Sequence, residues 1–285
     1  MLSRLLLLIL LVSTGLPASG QEGYRVVFAG GRSYVAGENQ FSKVQAGQKI
    51  EGQTELELVG NSRVVLMDEA GRLISLGLTG RYKLDDIKTT ASGDSSQFIK
   101  SVWDQYFKRQ DAGYSVQEAL LARSRGVSFE LSIPSSSQFF GHRQIIEWPH
   151  LSAEGYEVRL INVFGEVFET INQVEPRLNL DLLQQNLVWK TEVTIQVYRI
   201  DTGQRSPLHT LNKLSPPDYE DMDRLLKREF SGDQFEVLLT KAAYFENLWL
   251  FADAQTMLHD LRKEYGKLMD DFWKNYLFRN GFSQQ

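Results

Sequence analysis

The chain has 285 residues, with 31 Lys and Arg against 36 Asp and Glu and a formal net charge of −5. This mild acidity argues against the concentrated basic face that nucleic-acid-binding proteins usually carry, so no nucleic-acid partner is expected. The absence of Cys excludes disulfides, thiol chemistry and thiolate metal sites.

Residues 1–20 have the pattern of a secretory signal peptide. Arg4 precedes an apolar run over residues 5–12, and small residues follow as far as Ala18-Ser-Gly20. We expect cleavage near Gly20-Gln21 and a periplasmic or secreted mature chain. The alternative is a retained anchor, but the run is shorter than the roughly 20 residues that a membrane span needs. No later segment has that length of apolar sequence, so we expect no integral membrane span in the mature chain.

Residues 24–88 contain many short apolar strands separated by glycines, a pattern typical of a small, coiled β-domain. The predicted strands are 25–28, 33–35, 41–44, 54–59, 63–67, 73–76 and 81–84.

Four motifs in this region resemble the FecR-like β-domain of bacterial envelope proteins. They are Val44-Gln-Ala-Gly47-Gln-Lys-Ile50, Val64-Val-Leu66-Met-Asp68, Gly71-Arg-Leu73 and Gly80-Arg-Tyr82-Lys-Leu84-Asp-Asp-Ile87. The sequence departs from that pattern at Glu51-Gly-Gln53 and Glu69-Ala70. The resemblance implies a periplasmic module that faces a ligand or partner and has no catalytic activity.

A helical connector is predicted over residues 97–124. Its first helix begins near Gln97 after a polar linker and ends at Asp111-Ala-Gly113. A second helix over residues 115–123 is indicated by the capping box Ser115-Val-Gln-Glu118.

Residues 126–205 predict a β-sandwich, because apolar and polar residues alternate over 144–148, 156–160, 165–169 and 189–199. Trp148 and Trp189 with the late Tyr198 resemble immunoglobulin-like and fibronectin type III-like sandwiches. We expect Trp148 to lie in the sandwich core. Residues 135–137 are interpreted as a flexible loop and residues 205–215 as a linker.

Residues 215–280 predict a C-terminal α-helical hairpin. Ser215-Pro-Pro-Asp218 is a helix start, and helices are expected to about residue 230, over 235–248 and over 252–279. The spacing of six residues resembles a tetratricopeptide repeat, with an ordinary helical hairpin as the alternative: Leu238, Ala242, Phe245, Phe251, Ala254 and Leu258. Trp249 stands where that repeat usually has Gly.

Two apolar stripes run along the last predicted helix. The first should pack on helix 235–248 and comprises Ala254, Leu258, Leu261, Tyr265, Leu268, Phe272 and Tyr276. The second comprises Met269, Trp273 and Leu277, which are our candidate partner-binding residues. We expect this second stripe to dock on the sandwich or, alternatively, on a protein partner.

No constellation of residues predicts chemistry. His142, Glu147 and His150 are the nearest approach to a metal cluster, but a strand and a proline separate the two histidines. The acidic pairs Asp221 with Asp223 and Asp270-Asp271 are typical of a solvated surface, and Asp85-Asp86 is interpreted as a structural part of the FecR-like strand end. We therefore predict no catalytic residue, no metal ligand and no cofactor.

The fold class predicted is multi-domain α+β, with a small coiled β-domain, a helical connector, a β-sandwich and a helical hairpin. We interpret the chain as a non-enzymatic envelope binding or scaffold protein, with a protein partner or peptidoglycan or another envelope polymer as its ligand. One alternative is a periplasmic sensor or regulator of a membrane partner. Another is an envelope hydrolase with dispersed carboxylates.

Overall fold

The computed structural model describes residues 23–36, 41–87, 96–111, 129–184, 187–188 and 190–282. The fold is mixed α+β, as predicted: an N-terminal sheet, central sheets and C-terminal helices. The strands are β1 Gly23–Ala36, β2 Phe41–Lys43, β3 Lys49–Glu51, β4 Glu55–Asp68, β5 Leu73–Leu76, β6 Gly80–Lys83, β7 Ser136–Phe139, β8 Arg143–Glu147, β9 Tyr156–Ile161, β10 Val167–Gln173, β11 Arg177–Asp181, β12 Glu192–Arg199 and β13 His209–Lys213. The helices are α1 Ser96–Asp111, α2 Pro216–Glu229, α3 Phe235–Asn247, α4 Phe251–Tyr265 and α5 Asp270–Arg279. The predicted signal peptide, the predicted second connector helix and Trp189 lie outside the described residues.

The N-terminal sheet is built on two long antiparallel strands, β1 and β4, to which the four short strands are added. Each long strand joins two segments that the sequence predicts as separate strands. The glycines between those segments are not turns, because pairing continues past them with register shifts between Val26 and Phe28 and between Gly30 and Arg32. Such bulges bend a strand without ending it, which coils the sheet.

Each face of this sheet is buried against a different core. Val26, Leu56 and Leu66 belong to a core enclosed by the sheet itself. Phe28, Val65 and other residues of the opposite face join the core of the helices. Gly30 permits this approach, because a Cβ there would lie 2.7 Å from the carbonyl oxygen of Leu268.

Helix α1 begins one residue before its predicted start and ends at the predicted Asp111. It packs on α3, where the Trp103 indole donates a hydrogen bond to Thr240 Oγ1 at 3.0 Å. The Asn247 amide donates to the carbonyl oxygen of Val102 at 2.9 Å. The connector is therefore part of the helical layer.

The central region is a β-sandwich with one shared core. A five-stranded sheet has the order β10-β9-β12-β13-β7, and β8 pairs with β11 in a second sheet. Trp148 follows β8, is 1% exposed and packs edge-on against Tyr156 at 5.4 Å, so its prediction as a core residue is confirmed.

Two predictions in this region are wrong. Residues 135–137, expected to be loop, contribute to β7, and residues 205–215, expected to be linker, contain β13. The two strands pair in parallel, so each satisfies the backbone of the other. The sandwich thus continues to Lys213, beyond the predicted boundary at residue 205.

The helical region begins as predicted, with Ser215 accepting a hydrogen bond from the Asp218 backbone N–H. Helices α3 and α4 form the expected hairpin. The predicted helix 252–279 is instead two helices, because Gly266 takes φ 57° and a 3₁₀ turn, Gly266–Met269, separates α4 from α5. Among the described residues, no helix is long and apolar enough to cross a membrane.

Candidate functional site

A cleft lies where α4 and the 3₁₀ turn meet β8 and β11. It has a volume of about 520 Å³, and a second cleft of about 320 Å³ shares Arg177, His259 and Lys263 with it. We call the joined clefts the basic groove. Its charged residues are Arg143, Glu147, Glu175, Arg177, His259, Arg262, Lys263, Lys267 and Asp270.

The groove carries more positive than negative charge, on a chain that is acidic as a whole. Its lining has five Arg and Lys side chains against three carboxylates, without counting His259. An excess of one sign in a concave surface raises the local concentration of ligands of the opposite sign. The groove therefore favours an anionic group.

Most of the charged groups in the groove are already paired. Glu147 hydrogen-bonds to His259 Nδ1 at 2.7 Å and pairs with Arg262 at 3.4 Å. Arg177 pairs with Glu175. Lys263 and Lys267 are exposed and have no ion-pair partner in the described part of the chain, so their ammonium groups are the ones open to a ligand.

The imidazole of His259 is held from both sides. Arg177 Nη1 lies 3.4 Å from His259 Nε2, and a guanidinium can only donate. Nε2 is therefore the acceptor, and the Nδ1–H donates to the Glu147 carboxylate. This contact orients α4 on β8 and occupies both ring nitrogens.

The position of the groove depends on a polar seam, which we define as Asp253, Gln255 and Thr256 of α4. The Ile145 backbone N–H of β8 donates to Thr256 Oγ1 at 2.7 Å. With its amide oriented to match its surroundings, Gln255 accepts from Glu147 N–H and donates to the Ser132 carbonyl, both at 2.9 Å. The seam thus covers the free edge of β8 with side chains instead of a strand.

Asp253 closes the seam at the turn between β7 and β8. Its carboxylate accepts hydrogen bonds from the backbone N–H groups of Phe140 at 2.8 Å and Gly141 at 2.6 Å, and from Gln144 Nε2 at 2.9 Å. Burial raises the pKa of Asp253 to about 6, although these three donors favour the ionised form and act to lower it.

The candidate partner-binding stripe lies inside the protein. Met269, Trp273 and Leu277 are 0%, 5% and 7% exposed and belong to the core that the helices share with the N-terminal sheet. The sandwich, which we expected to receive the stripe, has a separate core. The Arg262 guanidinium stacks on the Trp273 ring at 4.7 Å, so the stripe supports the groove from beneath.

His142 and His150, the histidines nearest to Glu147 in the sequence, are not brought together around it. His142 Nε2 lies 3.4 Å from the Tyr219 hydroxyl, and His150 lines a different surface cleft. Glu147 instead meets His259, which comes from α4. In the part of the chain that the structure describes, no group of three His, Cys, Asp or Glu side chains could hold a metal ion.

Sequence reasoning missed the groove, although one signal was present. His259, Lys263 and Lys267 recur every four residues, which places such side chains on one helix face. The opposing Arg177 and Glu147 come from strands about a hundred residues away, and nothing local connects them to α4. Comparisons of the chain with protein-family models and with curated proteins gave no match.

Proposed function

We propose that this protein is a non-enzymatic binding or scaffold protein of the cell envelope, which holds an anionic group in the basic groove. The observation that carries the proposal is that Lys263 and Lys267, beside Arg177 and Arg262, have no ion-pair partner among the described residues. Carboxylates of peptidoglycan stem peptides, or of an acidic protein partner, have the required charge. Export, with cleavage near Gly20-Gln21, places the protein beside such ligands.

The strand order of the central region supports the proposed immunoglobulin-like or fibronectin type III-like subtype. Counting strands from β7, the second and fifth form one sheet, and the first, third, fourth, sixth and seventh lie together in the other. Sandwiches of this type commonly act as binding modules, but a fold by itself does not establish a function. The FecR-like and tetratricopeptide-like resemblances stay predictions.

A hydrolase is the alternative, because Glu147 and Asp270 line the same cleft and glycoside hydrolysis uses two carboxylates. Glu147, however, is already engaged by His259 and Arg262. No Ser or Thr is found among the described residues that line the groove. These features favour binding over catalysis.

Co-sedimentation of the purified protein with peptidoglycan sacculi tests the proposal. The double variant Lys263→Glu/Lys267→Glu should bind at least about tenfold more weakly than wild type, and added salt should weaken wild-type binding. The matched control is Lys49→Glu/Lys213→Glu, which reverses two exposed charges outside the groove. Equal weakening by both variants, or no binding by wild type, would contradict a peptidoglycan-binding groove. Release of soluble fragments by wild type but not by Asp270→Asn would establish the hydrolase instead.

A further inference from the structure

A second cleft, independent of the basic groove, lies along the outer edge of β7. It has a volume of about 380 Å³ and is lined by Ser136, Ser137 and Gln138 on one side. Trp249 and Phe251, at the junction of α3 and α4, line it with Asn280 and Phe282, which follow α5. We call it the edge cleft.

Hydrogen bonding shows which backbone groups of β7 face the cleft. The carbonyl oxygens of Ser135 and Phe139 accept from Thr210 and Leu214 at the β13 side. Alternate residues of a strand point their backbone groups to opposite sides, so Ser136 and Gln138 point away from β13. Among the described residues, no strand pairs with that side of β7. The Gln138 carbonyl accepts from Ser137 Oγ and retains a second lone pair.

The helical layer covers only one end of this edge. The Phe140 N–H, next in the same alternation, donates to Asp253 of α4. Helix α4 therefore covers β7 beyond Gln138 and leaves the preceding residues facing the edge cleft. An open edge next to apolar side chains is the surface on which an extended peptide can add a strand.

The side chains across the cleft are arranged for a ligand in two respects. Trp249 is the only non-glycine residue of the described chain with positive φ, at 64°, and it is 55% exposed. A strained backbone that presents an exposed aromatic ring is a feature of binding sites. Asn280 is 1% exposed and donates to Glu246 and the Tyr276 carbonyl, while no residue in the described part of the chain hydrogen-bonds to its Oδ1.

We propose that the edge cleft binds an extended peptide segment of a partner protein as an added strand beside β7. The peptide backbone would pair with the backbone groups of Ser136 and Gln138. A rigid small molecule or a polysaccharide lacks the regularly spaced N–H and C=O groups that this pairing needs. An apolar side chain would pack against Trp249 and Phe282, and a peptide or side-chain N–H would donate to Asn280 Oδ1. At about 3.3 Å per residue, the four residues of β7 match a peptide of about four residues.

Selection from a phage-displayed library of random nine-residue peptides on the immobilised purified protein supplies the probe. The most enriched sequence is synthesised, and its affinity is measured by fluorescence anisotropy. Gln138→Pro removes the outward N–H and should weaken binding at least tenfold, whereas Gln138→Ala keeps the N–H and should not. An analogue N-methylated at alternate peptide residues should fail to bind.

Trp249→Gly separates binding from stability. Glycine adopts positive φ without strain, so the melting temperature should be unchanged or higher. Peptide affinity should nevertheless fall at least tenfold, because the ring is lost. A purely structural role for Trp249 predicts the opposite pair of results.

Amide hydrogen exchange by NMR identifies the occupant. In the free wild-type protein, the Ser136 and Gln138 amides should exchange quickly, and the peptide should protect them. Protection without peptide would mean that the chain covers its own edge and would overturn the proposal. A dimer that Gln138→Pro dissociates would assign the edge to a second copy and would also overturn it. No enrichment in the selection, or undiminished binding to both Gln138→Pro and Trp249→Gly, would exclude the site.

Discussion

The helical layer is held on its two sides by different physical means. Towards the N-terminal sheet the contacts are apolar and aromatic, with the Phe28 ring 4.9 Å from Phe235 and 5.9 Å from Phe272. Towards the sandwich the contacts include the hydrogen bonds made by the polar seam and by Glu147 with His259. Ala252 in the sandwich core and Phe140 against Tyr219 and Phe245 add apolar contacts there. The first interface is mainly apolar, whereas the second also pairs hydrogen-bond donors with acceptors.

The difference indicates separate roles for the two interfaces. Burial of apolar surface stabilises strongly but has no direction, so it permits several similar packings. Buried polar groups must be paired, and the observed placement of α4 along β8 satisfies the N–H groups of Ile145, Glu147 and Gly141 together. We therefore expect the apolar side to supply most of the stability and the polar side to fix the register that forms the basic groove.

The largest expected effect comes from the apolar side. Phe28→Ala removes a ring that is 1% exposed and contacts two other rings, so it should lower the free energy of unfolding by about 3–5 kcal/mol. Urea denaturation followed by circular dichroism measures this. Phe164→Ala, at a position 83% exposed, is the control and should change it by less than about 0.5 kcal/mol. Similar losses of unfolding free energy in both variants would contradict the stabilising role assigned to the apolar side.

The polar side should make stability depend on pH through Asp253. Its pKa rises from 3.8 to about 6 on folding, so the folded state binds more protons between these values. Stability from this group is therefore greatest below about pH 4 and is lost as pH rises through about 6, by about 3 kcal/mol in total. The measurement is the difference between the wild-type and Asp253→Asn unfolding curves across this range.

The wild-type curve alone would not isolate Asp253, because His209 changes stability with pH in the opposite direction. Burial lowers the pKa of His209 to about 4, so stability from the neutral ring is lost as pH falls from about 6.5. Both proteins contain His209, and its contribution cancels in the subtraction. A difference that stays flat from pH 4 to 6.5 would contradict the role assigned to Asp253.

A single hydrogen bond of the seam should have a smaller effect. Thr256→Val keeps the shape of the side chain but leaves the Ile145 N–H unpaired, which should cost about 1–3 kcal/mol. Thr170→Val on the exposed face of β10 provides the matched control, with a change within about 0.5 kcal/mol. If Thr256→Val is as stable as its control, the seam does not fix α4 on β8.

The exposed ion pair at the end of the seam should contribute least. Arg143 contacts Asp260 at 2.8 and 3.1 Å, with both side chains more than 40% exposed. A double-mutant cycle with alanine should give a coupling energy of about 0.2–1 kcal/mol that declines with added salt. A coupling above about 2 kcal/mol would show that charge, not the buried hydrogen bonds, dominates this interface.

Local signals in the sequence were sufficient for much of the fold. Ser215 with the two prolines after it predicted the start of α2, and alternation predicted β8, β9 and β12. The burial of Trp148 followed from its position two residues after the apolar Ile146, on the same face of the strand. These features depend on capping and on periodicity, which act within a few residues.

Other features were decided only by tertiary structure. The serine-rich β7 is a strand because β13 lies beside it, and the polar face of α4 is buried because β8 offers unpaired N–H groups. The basic groove joins β8 and β11 to α4 across about a hundred residues of chain. The amino-acid sequence by itself determined the type and order of most elements, because propensity and periodicity are local. Only the tertiary structure decided which strands pair, where the second stripe packs and how the groove forms. A polar group can select a partner only where the fold brings one within hydrogen-bonding distance.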